Sequence, residues 1–196
     1  CKKFKADVIV TIGGGSAMDT AKGVSILMTN PKRTMQSLNG LSNTANKGLP
    51  IIALPTTAGT GSETTLAAVI TDSEKQHKYT LMDFNLIPHY AVLDPTVTFT
   101  LPPHLTSTTG MDALTHAVEA FIGRSTTKET RKKALEATKL VFENIEKAYK
   151  NGKDEAARAN MLRAAYLAGI AFSKSYHCSL RYFLNHLLLD ISYTSS

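Results

Sequence analysis

Three short apolar runs mark the first half of the chain. Residues 8–12 read VIVTI, residues 49–54 read LPIIAL and residues 90–93 read YAVL. Each run is continuously apolar, which is typical of strands in a parallel sheet that is covered on both faces. A helical pattern follows the first run over residues 16–29. Residues 31–48, which are rich in Asn, Ser, Gly and Lys, are expected to form a surface loop.

The second half of the chain has a purely helical pattern. Residues 105–122, 128–150 and 154–173 are three long helical stretches with no strand between them. The sequence TLPPH at residues 100–104 contains two prolines, which break a helix that would run through them. The fold class predicted is therefore an α/β half over residues 1–101 followed by an all-helical half over residues 102–196.

Composition narrows the class of protein further. The chain has 196 residues, of which 43% are hydrophobic, enough for one or two packed domains. The formal charge is +6, but the basic residues are dispersed and mixed with acids, which favours solvated helix faces over a nucleic-acid partner. Two cysteines give no disulfide framework, and no apolar run has the length of a membrane span. A cytoplasmic protein is expected, and the abrupt start at Cys1 leads us to expect a missing preceding segment.

A glycine turn follows the first predicted strand. It consists of Gly13, Gly14, Gly15 and Ser16. At the carboxyl end of a parallel strand, such a turn points backbone N–H groups and a helix N-terminus at a phosphate, and no Cβ blocks close approach. Ser16 is expected to cap the helix, with Asp19 in the position of a capping-box acid. A tight strand–helix turn without a ligand explains these residues about equally well.

The two common phosphate-binding fingerprints are absent. A G-x-G-x-x-G motif starting at Gly13 would require glycine where Met18 stands, and no Walker Gly-Lys-Ser/Thr follows. A second turn, however, ends the second predicted strand with the small and hydroxyl-bearing residues TTAGTGS at 56–62. Ligands of open α/β sheets bind at the carboxyl ends of strands. Two such turns therefore favour a nucleotide crevice.

One pair of residues in the helical half has the spacing of metal ligands. Asp112 and His116 are four residues apart in GMDALTHAVEA and so project from one face of a helix. A carboxylate and an imidazole at this spacing can hold a divalent ion, although an ordinary hydrogen bond is the commoner reason for an isolated pair. A metal site also needs further ligands from elsewhere in the chain.

Six segments, taken in order, resemble one known family. They read GGGSAMDTAKGV, LPTTAGTGSETT, VITD with Lys78 following, AVLDP, LPPHLTSTTGMDALTHAVEAFI and NGKDEAARANMLRAAYLAGIAFS. Together they resemble the iron-containing (group III) alcohol dehydrogenases from residue 4 to about residue 175. The resemblance implies the architecture of that family, which is dehydroquinate synthase-like: a parallel-sheet nucleotide-binding half followed by an all-helical half. The resemblance thus implies a partial dinucleotide-binding domain over residues 1–101 and a partial all-helical, metal-binding domain over residues 102–196, because family members are considerably longer.

The resemblance also implies a cofactor, NAD or NADP, and the residues that hold it. These residues are Gly13, Gly14, Gly15, Ser16, Thr56, Thr57, Thr65 and Lys78. The glycine turn would bind the pyrophosphate, the threonines would line the cofactor cleft, and Lys78 would hydrogen-bond the nicotinamide ribose. The choice between NAD and NADP is not readable from this sequence.

By the same resemblance, Asp112 and His116 would be the first two metal ligands. The ion is Fe(II) in much of the family and zinc in some relatives. It would act as a Lewis acid in hydride transfer between a small primary alcohol, or its aldehyde, and NAD(P). His77, His89 and His104 are expected to be surface or loop residues. The intact family is expected to form homo-oligomers, with neither nucleic acid nor a membrane as a partner.

The resemblance is lost abruptly after residue 175. An ungapped extension of the family pattern places its two further histidine ligands at Arg181 and Ser195, and another active-site histidine at Asn185. The histidines actually present, His177 and His186, are out of register.

This departure indicates a divergent tail over residues 176–196, of the kind that truncation or a frameshift produces. It leaves two functions open. One is a metal- and nicotinamide-dependent alcohol dehydrogenase; the alternative is a truncated, non-catalytic remnant with at most weak nucleotide binding.

Overall fold

The computed structural model describes the backbone of residues 1–73 and 77–193, and the side chains within these ranges other than those of residues 2 and 176–193. The strands are β1 (Ile9–Gly13), β2 (Gly40–Leu41), β3 (Ile51–Pro55), β4 (Ala67–Asp72), β5 (His77–Met82) and β6 (Tyr90–Ala91). The helices are α1 (Gly15–Thr29), α2 (Pro103–Ile122), α3 (Lys128–Lys150) and α4 (Glu155–Tyr193). The predicted order, an α/β half and then a helical half, is confirmed.

The three predicted strands form one parallel sheet in the order β1-β3-β6. Gly13 at the end of β1 pairs in register with Pro55 at the end of β3. The next residue, Thr56, donates its amide to the carbonyl of Gly13 at 2.9 Å. The glycine turn and the second turn, which we call the threonine turn (residues 56–65), therefore leave the sheet side by side at the same edge.

The prediction that both faces of this sheet are covered is wrong for the described part of the chain. α1 packs against β1 and β3 on one face, where Thr11 is buried. The side chains of Val10 and Ile12 point to the other face and are 57% and 62% exposed. The burial of β1 thus alternates, although its sequence is continuously apolar.

A second sheet, which the sequence pattern did not predict, has the order β2-β5-β4. β4 and β5 form an antiparallel hairpin, and β2 pairs with β5 in parallel. The prediction of a surface loop over residues 31–48 is wrong at β2 and at Leu38, which is 2% exposed and packs in a core cluster with Ile26 and Leu81. A two-residue strand and a single buried leucine are too short to give a periodic signal.

The helical half is a bundle of α2, α3 and α4 with small residues at its contacts. Alanines of all three helices are almost completely buried there; they include Ala113, Ala117, Ala120, Ala134, Ala137, Ala164, Ala168 and Ala171. Such residues let helix backbones approach closely. α2 begins at Pro103, within the predicted boundary segment, because proline is well accepted in the first turn of a helix. The division into two domains at residues 101 and 102 stays a prediction.

None of the helices in the described part of the chain combines the length and the apolar character that a membrane crossing requires.

Candidate active site

The glycine turn leads directly into α1. The N-cap residue is Gly14, with extended backbone angles and no side-chain capping bond. The prediction that Ser16 caps this helix is therefore wrong: Ser16 is an exposed residue of its first turn. The first amides of a helix have no acceptor within the helix. The amides of Ala17 and Met18 donate to the carbonyl oxygen of Gly14 at 3.1 and 3.2 Å. Without a capping side chain, the amides of Gly15 and Ser16 are left available to an anion.

The threonine turn packs against the glycine turn. A Cβ added to Gly14 would lie 3.4 Å from Cγ2 of Thr57, and a Cβ added to Gly15 would lie 2.8 Å from Cγ2 of Thr60. A side chain at position 15 would therefore have to displace Thr60, whether or not the turn binds a ligand. Of the residues to which the resemblance assigned the cofactor, the structure places Gly13 beside Thr56 and Gly14 beside Thr57. The role of the two turns as a phosphate cradle stays a prediction.

Asp19 connects three elements rather than capping one. Its Oδ1 accepts a hydrogen bond from Oγ of Ser62 at 2.7 Å, and its Oδ2 accepts one from the amide of Val69 at 3.0 Å. The expected capping-box role of this residue is wrong, because the carboxylate points across to the threonine turn and β4.

Lys22 is a site residue that the sequence analysis missed. It is completely buried, and its Nζ donates to the carbonyl oxygens of Thr65 and Ala67 and to Oγ1 of Thr65, at 3.0, 2.8 and 3.2 Å. Burial lowers the pKa of Lys22 to about 8, against the opposing attraction of Asp19 and then Glu63. The sequence pattern could have indicated that Lys22 is buried, because it lies midway between Met18 and Ile26 on the buried face of α1. A lysine on an apolar stripe needs partners.

Glu63 is a second buried charge that the sequence did not reveal. It lies in a short 3₁₀ helix, Ser62–Thr64, within the threonine turn and is 3% exposed. Burial raises the pKa of Glu63 to about 7, while its own backbone amide and Lys22 act in the opposite direction. Within the described residues, its Oε1 has no hydrogen-bond partner.

The metal-type pair lies on α2. Nε2 of His116 is 3.7 Å from Oδ1 of Asp112, and the ring of His116 packs on Phe172 of α4 with 4.7 Å between the ring centres. The predicted common face of the two side chains is confirmed. Because 3.7 Å is shorter than two bonds of about 2.1 Å, one ion can reach both atoms. The donor set therefore fits a divalent cation.

In the described part of the chain, no third His, Cys, Asp or Glu joins this pair. The side chains of Arg181, Asn185, His177 and His186, and the whole of Ser195, lie outside the described residues.

A cavity of about 280 Å³ lies where the two halves of the chain meet. The α/β half contributes Asp19, Ser62 and Thr65, among others, and the helical half contributes Asp112, His116 and Phe172. The structure thus places one predicted cofactor residue, Thr65, in the same cavity as both predicted metal ligands.

Lys78 lies apart from this cavity. It is exposed on β5, opposite Thr71 of β4, and its contact with a nicotinamide ribose stays a prediction. His77, His89 and His104 are exposed, as expected.

Comparison with known proteins identifies the class. The family model described as iron-containing alcohol dehydrogenase matches residues 1–95, and the model for the C-terminal part of the Fe-containing alcohol dehydrogenase family matches residues 106–182. The chain belongs to the iron-containing alcohol dehydrogenase family.

Individual relatives agree with this assignment. The chain is 42% identical over 174 residues to alcohol dehydrogenase 4 of Saccharomyces cerevisiae, an alignment that covers 89% of this chain and 45% of the yeast protein. It is 42% identical over 172 residues to the NAD-dependent methanol dehydrogenase of Bacillus methanolicus, covering 88% of this chain and 45% of that protein. The chain therefore spans about half the length of the curated relatives it matches.

Solved structures show the same fold. The sulfoacetaldehyde reductase of Bifidobacterium kashiwanohense, crystallised in complex with NAD+, superposes with a TM-score of 0.80 at 37% identity, covering 89% of this chain and 46% of that one. An alcohol dehydrogenase from Oenococcus oeni superposes with a TM-score of 0.84 at 41% identity, covering 88% of this chain and 45% of that one.

Proposed function

We propose that this protein is a metal-containing alcohol dehydrogenase that transfers a hydride between a small primary alcohol or its aldehyde and NAD or NADP. The observation that carries the proposal is the cavity between the two halves, where Thr65 and its turn face Asp112 and His116. The NAD-dependent methanol dehydrogenase and the NAD+-bound sulfoacetaldehyde reductase among its relatives support a nicotinamide cofactor.

In this proposal the two turns bind the cofactor. The open amides of Gly15 and Ser16, at the positive end of α1, would donate to the pyrophosphate. The threonine turn would line the cleft with the hydroxyls of Thr56, Thr57 and Thr65. The nicotinamide, when bound, supplies the hydride acceptor or donor. The two turns would hold the cofactor in place and form the wall of its cleft.

Asp112 and His116 would hold the metal ion, Fe(II) or zinc. The ion, when bound, supplies Lewis-acid polarisation of the alcohol or aldehyde oxygen. Phe172 packs on the His116 ring and so fixes its orientation and shields one face of it from water. No side-chain nucleophile is required for this chemistry.

A second candidate function is a non-catalytic protein with at most weak nucleotide binding. It is favoured by the donor set in the described part of the chain, where Asp112 and His116 have no third partner of ligand type. Two protein ligands are fewer than the three that catalytic zinc sites use. On this view the chain keeps the cofactor turns but binds metal poorly.

One experiment separates the two functions. Ethanol or propanol oxidation is assayed with NAD, in the presence of added Fe(II) or Zn(II), for the wild-type chain, Asp112→Ala and the surface control His104→Ala. The dehydrogenase is supported by turnover that Asp112→Ala loses and His104→Ala keeps. Absence of turnover in all three, together with measurable NADH binding by calorimetry, supports the second function.

A further inference from the structure

A buried lysine lies behind one residue of the cavity wall. Lys22 on α1 is completely buried and does not line the cavity, whereas Thr65 does. Nζ of Lys22 donates to the carbonyl oxygen of Thr65 at 3.0 Å, to Oγ1 of Thr65 at 3.2 Å and to the carbonyl oxygen of Ala67 at 2.8 Å. The carboxylate of Asp19 is 3.9 Å away. Lys22 therefore contacts both oxygens of Thr65 from the protein interior.

The contact with Lys22 sets the role of the Thr65 hydroxyl. Lys22 is charged at neutral pH, since its pKa is about 8. An ammonium group has three N–H donors and no acceptor, so the hydroxyl must accept from Lys22 and cannot donate to it. Among the described residues, none accepts the proton of this hydroxyl in turn. Because Thr65 lines the cavity, a ligand in the cavity is the partner that the site offers to this proton.

Two other hydroxyls of the cavity wall are already engaged as donors. Ser62 donates to Oδ1 of Asp19 at 2.7 Å, and Ser173 donates to the carbonyl oxygen of Thr64 at 3.4 Å. Both serines line the cavity, but their protons are used within the protein. Thr65 differs from them because Lys22 makes its oxygen an acceptor and leaves its proton available.

The position of Thr65 selects the part of the cofactor that it can reach. The cavity that Thr65 lines also contains Asp112 and His116, the proposed metal ligands. Hydride transfer requires the nicotinamide ring to lie beside the substrate. The nicotinamide end of the cofactor, with its carboxamide and ribose oxygens, is therefore the part that meets Thr65.

We propose that Lys22 is a positioning residue that acts through Thr65: its ammonium holds the hydroxyl oxygen and so leaves the hydroxyl proton to donate to an oxygen atom at the nicotinamide end of the cofactor. The identity of the ligand rests on the proposed function. The orientation of the hydroxyl rests only on the hydrogen bonds of Lys22.

The first test is the affinity for NADH, measured by fluorescence titration near neutral pH. Thr65→Val keeps the shape of the side chain and removes the hydroxyl, so it should weaken NADH binding about two- to tenfold, the usual effect of one hydrogen bond. Thr65→Ser keeps a hydroxyl and should recover most of this loss. Thr108→Val, at an exposed threonine of α2 that does not line the cavity, should keep the wild-type affinity.

ADP separates a lost contact from a distorted wall. It has the adenine end and the pyrophosphate of the cofactor but lacks the nicotinamide and its ribose. Wild type and Thr65→Val should therefore bind ADP equally well. An equal loss of affinity for ADP and for NADH in Thr65→Val would show a merely structural role and overturn the proposal, and so would an unchanged affinity for NADH.

A double-mutant cycle measures the role of Lys22. Lys22→Met also removes the donor to two backbone carbonyls, so part of its effect on NADH binding comes from the shape of the wall. If Lys22 acts through the hydroxyl, Lys22→Met should weaken NADH binding by a larger factor in wild type than in Thr65→Val. Equal factors in the two backgrounds would overturn the proposal.

The same cycle in urea unfolding needs no cofactor and distinguishes failure of this proposal from failure of the proposed function. Lys22→Met should lower the free energy of unfolding more in wild type than in Thr65→Val, because the bond from Lys22 to the hydroxyl can be lost only once. Equal losses would overturn the orientation of the hydroxyl by Lys22. Unequal losses, together with absence of NADH binding by wild type, would contradict the cofactor assignment and not the orientation.

Discussion

Gly61 and Gly169 touch backbone to backbone where the threonine turn meets α4. Gly61 has a left-handed backbone conformation, with φ of +61°, and a Cβ added to it would lie 2.9 Å from Cα of Gly169. A Cβ added to Gly169 would lie 2.8 Å from the carbonyl oxygen of Gly61. This contact joins the α/β half to the helical half close to Ser62 and Phe172, which line the cavity.

The Gly61–Gly169 contact predicts a stability cost for alanine at either position. Gly169→Ala should lower the free energy of unfolding by about 1–3 kcal/mol, because the new methyl group meets backbone that cannot move aside. Gly61→Ala should cost more, since alanine also resists the left-handed conformation. Urea denaturation measures both variants. The matched control is Gly23→Ala in α1. Its Cβ would come closer than 3 Å only to the flexible end of Met35 and would make an ordinary 3.6 Å contact with Cδ1 of Ile70, so the change should be neutral or stabilising. Equal losses of unfolding free energy in Gly23→Ala and Gly169→Ala would contradict the close backbone contact between Gly61 and Gly169.

The glycine turn gives a prediction that separates packing from phosphate binding. Gly15→Ala should destabilise the chain by about 1–3 kcal/mol, because its Cβ would lie 2.8 Å from Cγ2 and 2.9 Å from Oγ1 of Thr60. Thr60→Ala removes both atoms, so the double variant should regain most of the lost stability. Calorimetry with NADH then shows whether the double variant also regains the wild-type affinity for NADH.

If Gly15 serves only packing, affinity and stability recover together in the double variant. If its backbone also approaches a phosphate, affinity stays low while stability recovers. Gly14→Ala is the control for stability, because its Cβ would make only a 3.4 Å contact with Thr57.

The ring contact between His116 and Phe172 predicts a local effect at the metal-type pair. Phe172→Leu should cost about 0.5–1.5 kcal/mol of stability and should change the NMR shift of the His116 ring protons, which lie beside the aromatic ring. Phe142→Leu on α3, where the ring is 70% exposed, should change neither. An unchanged His116 signal in Phe172→Leu would show that the two rings are not in contact in solution.

Lys22 predicts a pH dependence of stability with a defined sign. Its pKa is lowered from 10.5 to about 8 by folding, so between these values the unfolded chain binds more protons than the folded chain. The free energy of unfolding should therefore rise with pH in this window, by at most about 3 kcal/mol. Lys22→Met should lack this rise.

Lys22→Met should also be less stable than wild type near neutral pH, by about 1–3 kcal/mol, because it leaves the carbonyl oxygens of Thr65 and Ala67 without their donor and Asp19 without the ammonium 3.9 Å away. Lys139→Met, at a lysine whose side chain is 74% exposed, is the control and should keep the wild-type pH slope. Urea unfolding at several pH values between about 7 and 10 measures all three proteins. A wild-type slope that persists in Lys22→Met would assign the rise to other groups.

The sequence predicted well the features that depend on neighbouring residues. The cores of β1, β3 and β6 and the starts of α1, α2, α3 and α4 fall within a few residues of the predicted positions. Asp112 and His116 share a face, as four-residue spacing on a helix requires. The same local patterns, taken together, were specific enough to indicate the family. The hairpin of β4 and β5 was missed because its strands have no simple alternation of apolar and polar residues.

What the sequence alone determined about this protein is the order of its parallel strands and long helices, its family resemblance and the residue types available to a site. The tertiary structure decided which of those residues meet. Lys22 reaches Thr65 across 43 positions of the chain, and Ser173 reaches Thr64 across 109. Periodicity within a segment fixes which face of that segment is apolar, but burial of a charge such as Lys22 or Glu63 depends on what other segments pack against it. That packing is a property of the assembled core, and it brought Thr65 of the α/β half to the same cavity as Asp112 and His116 of the helical half.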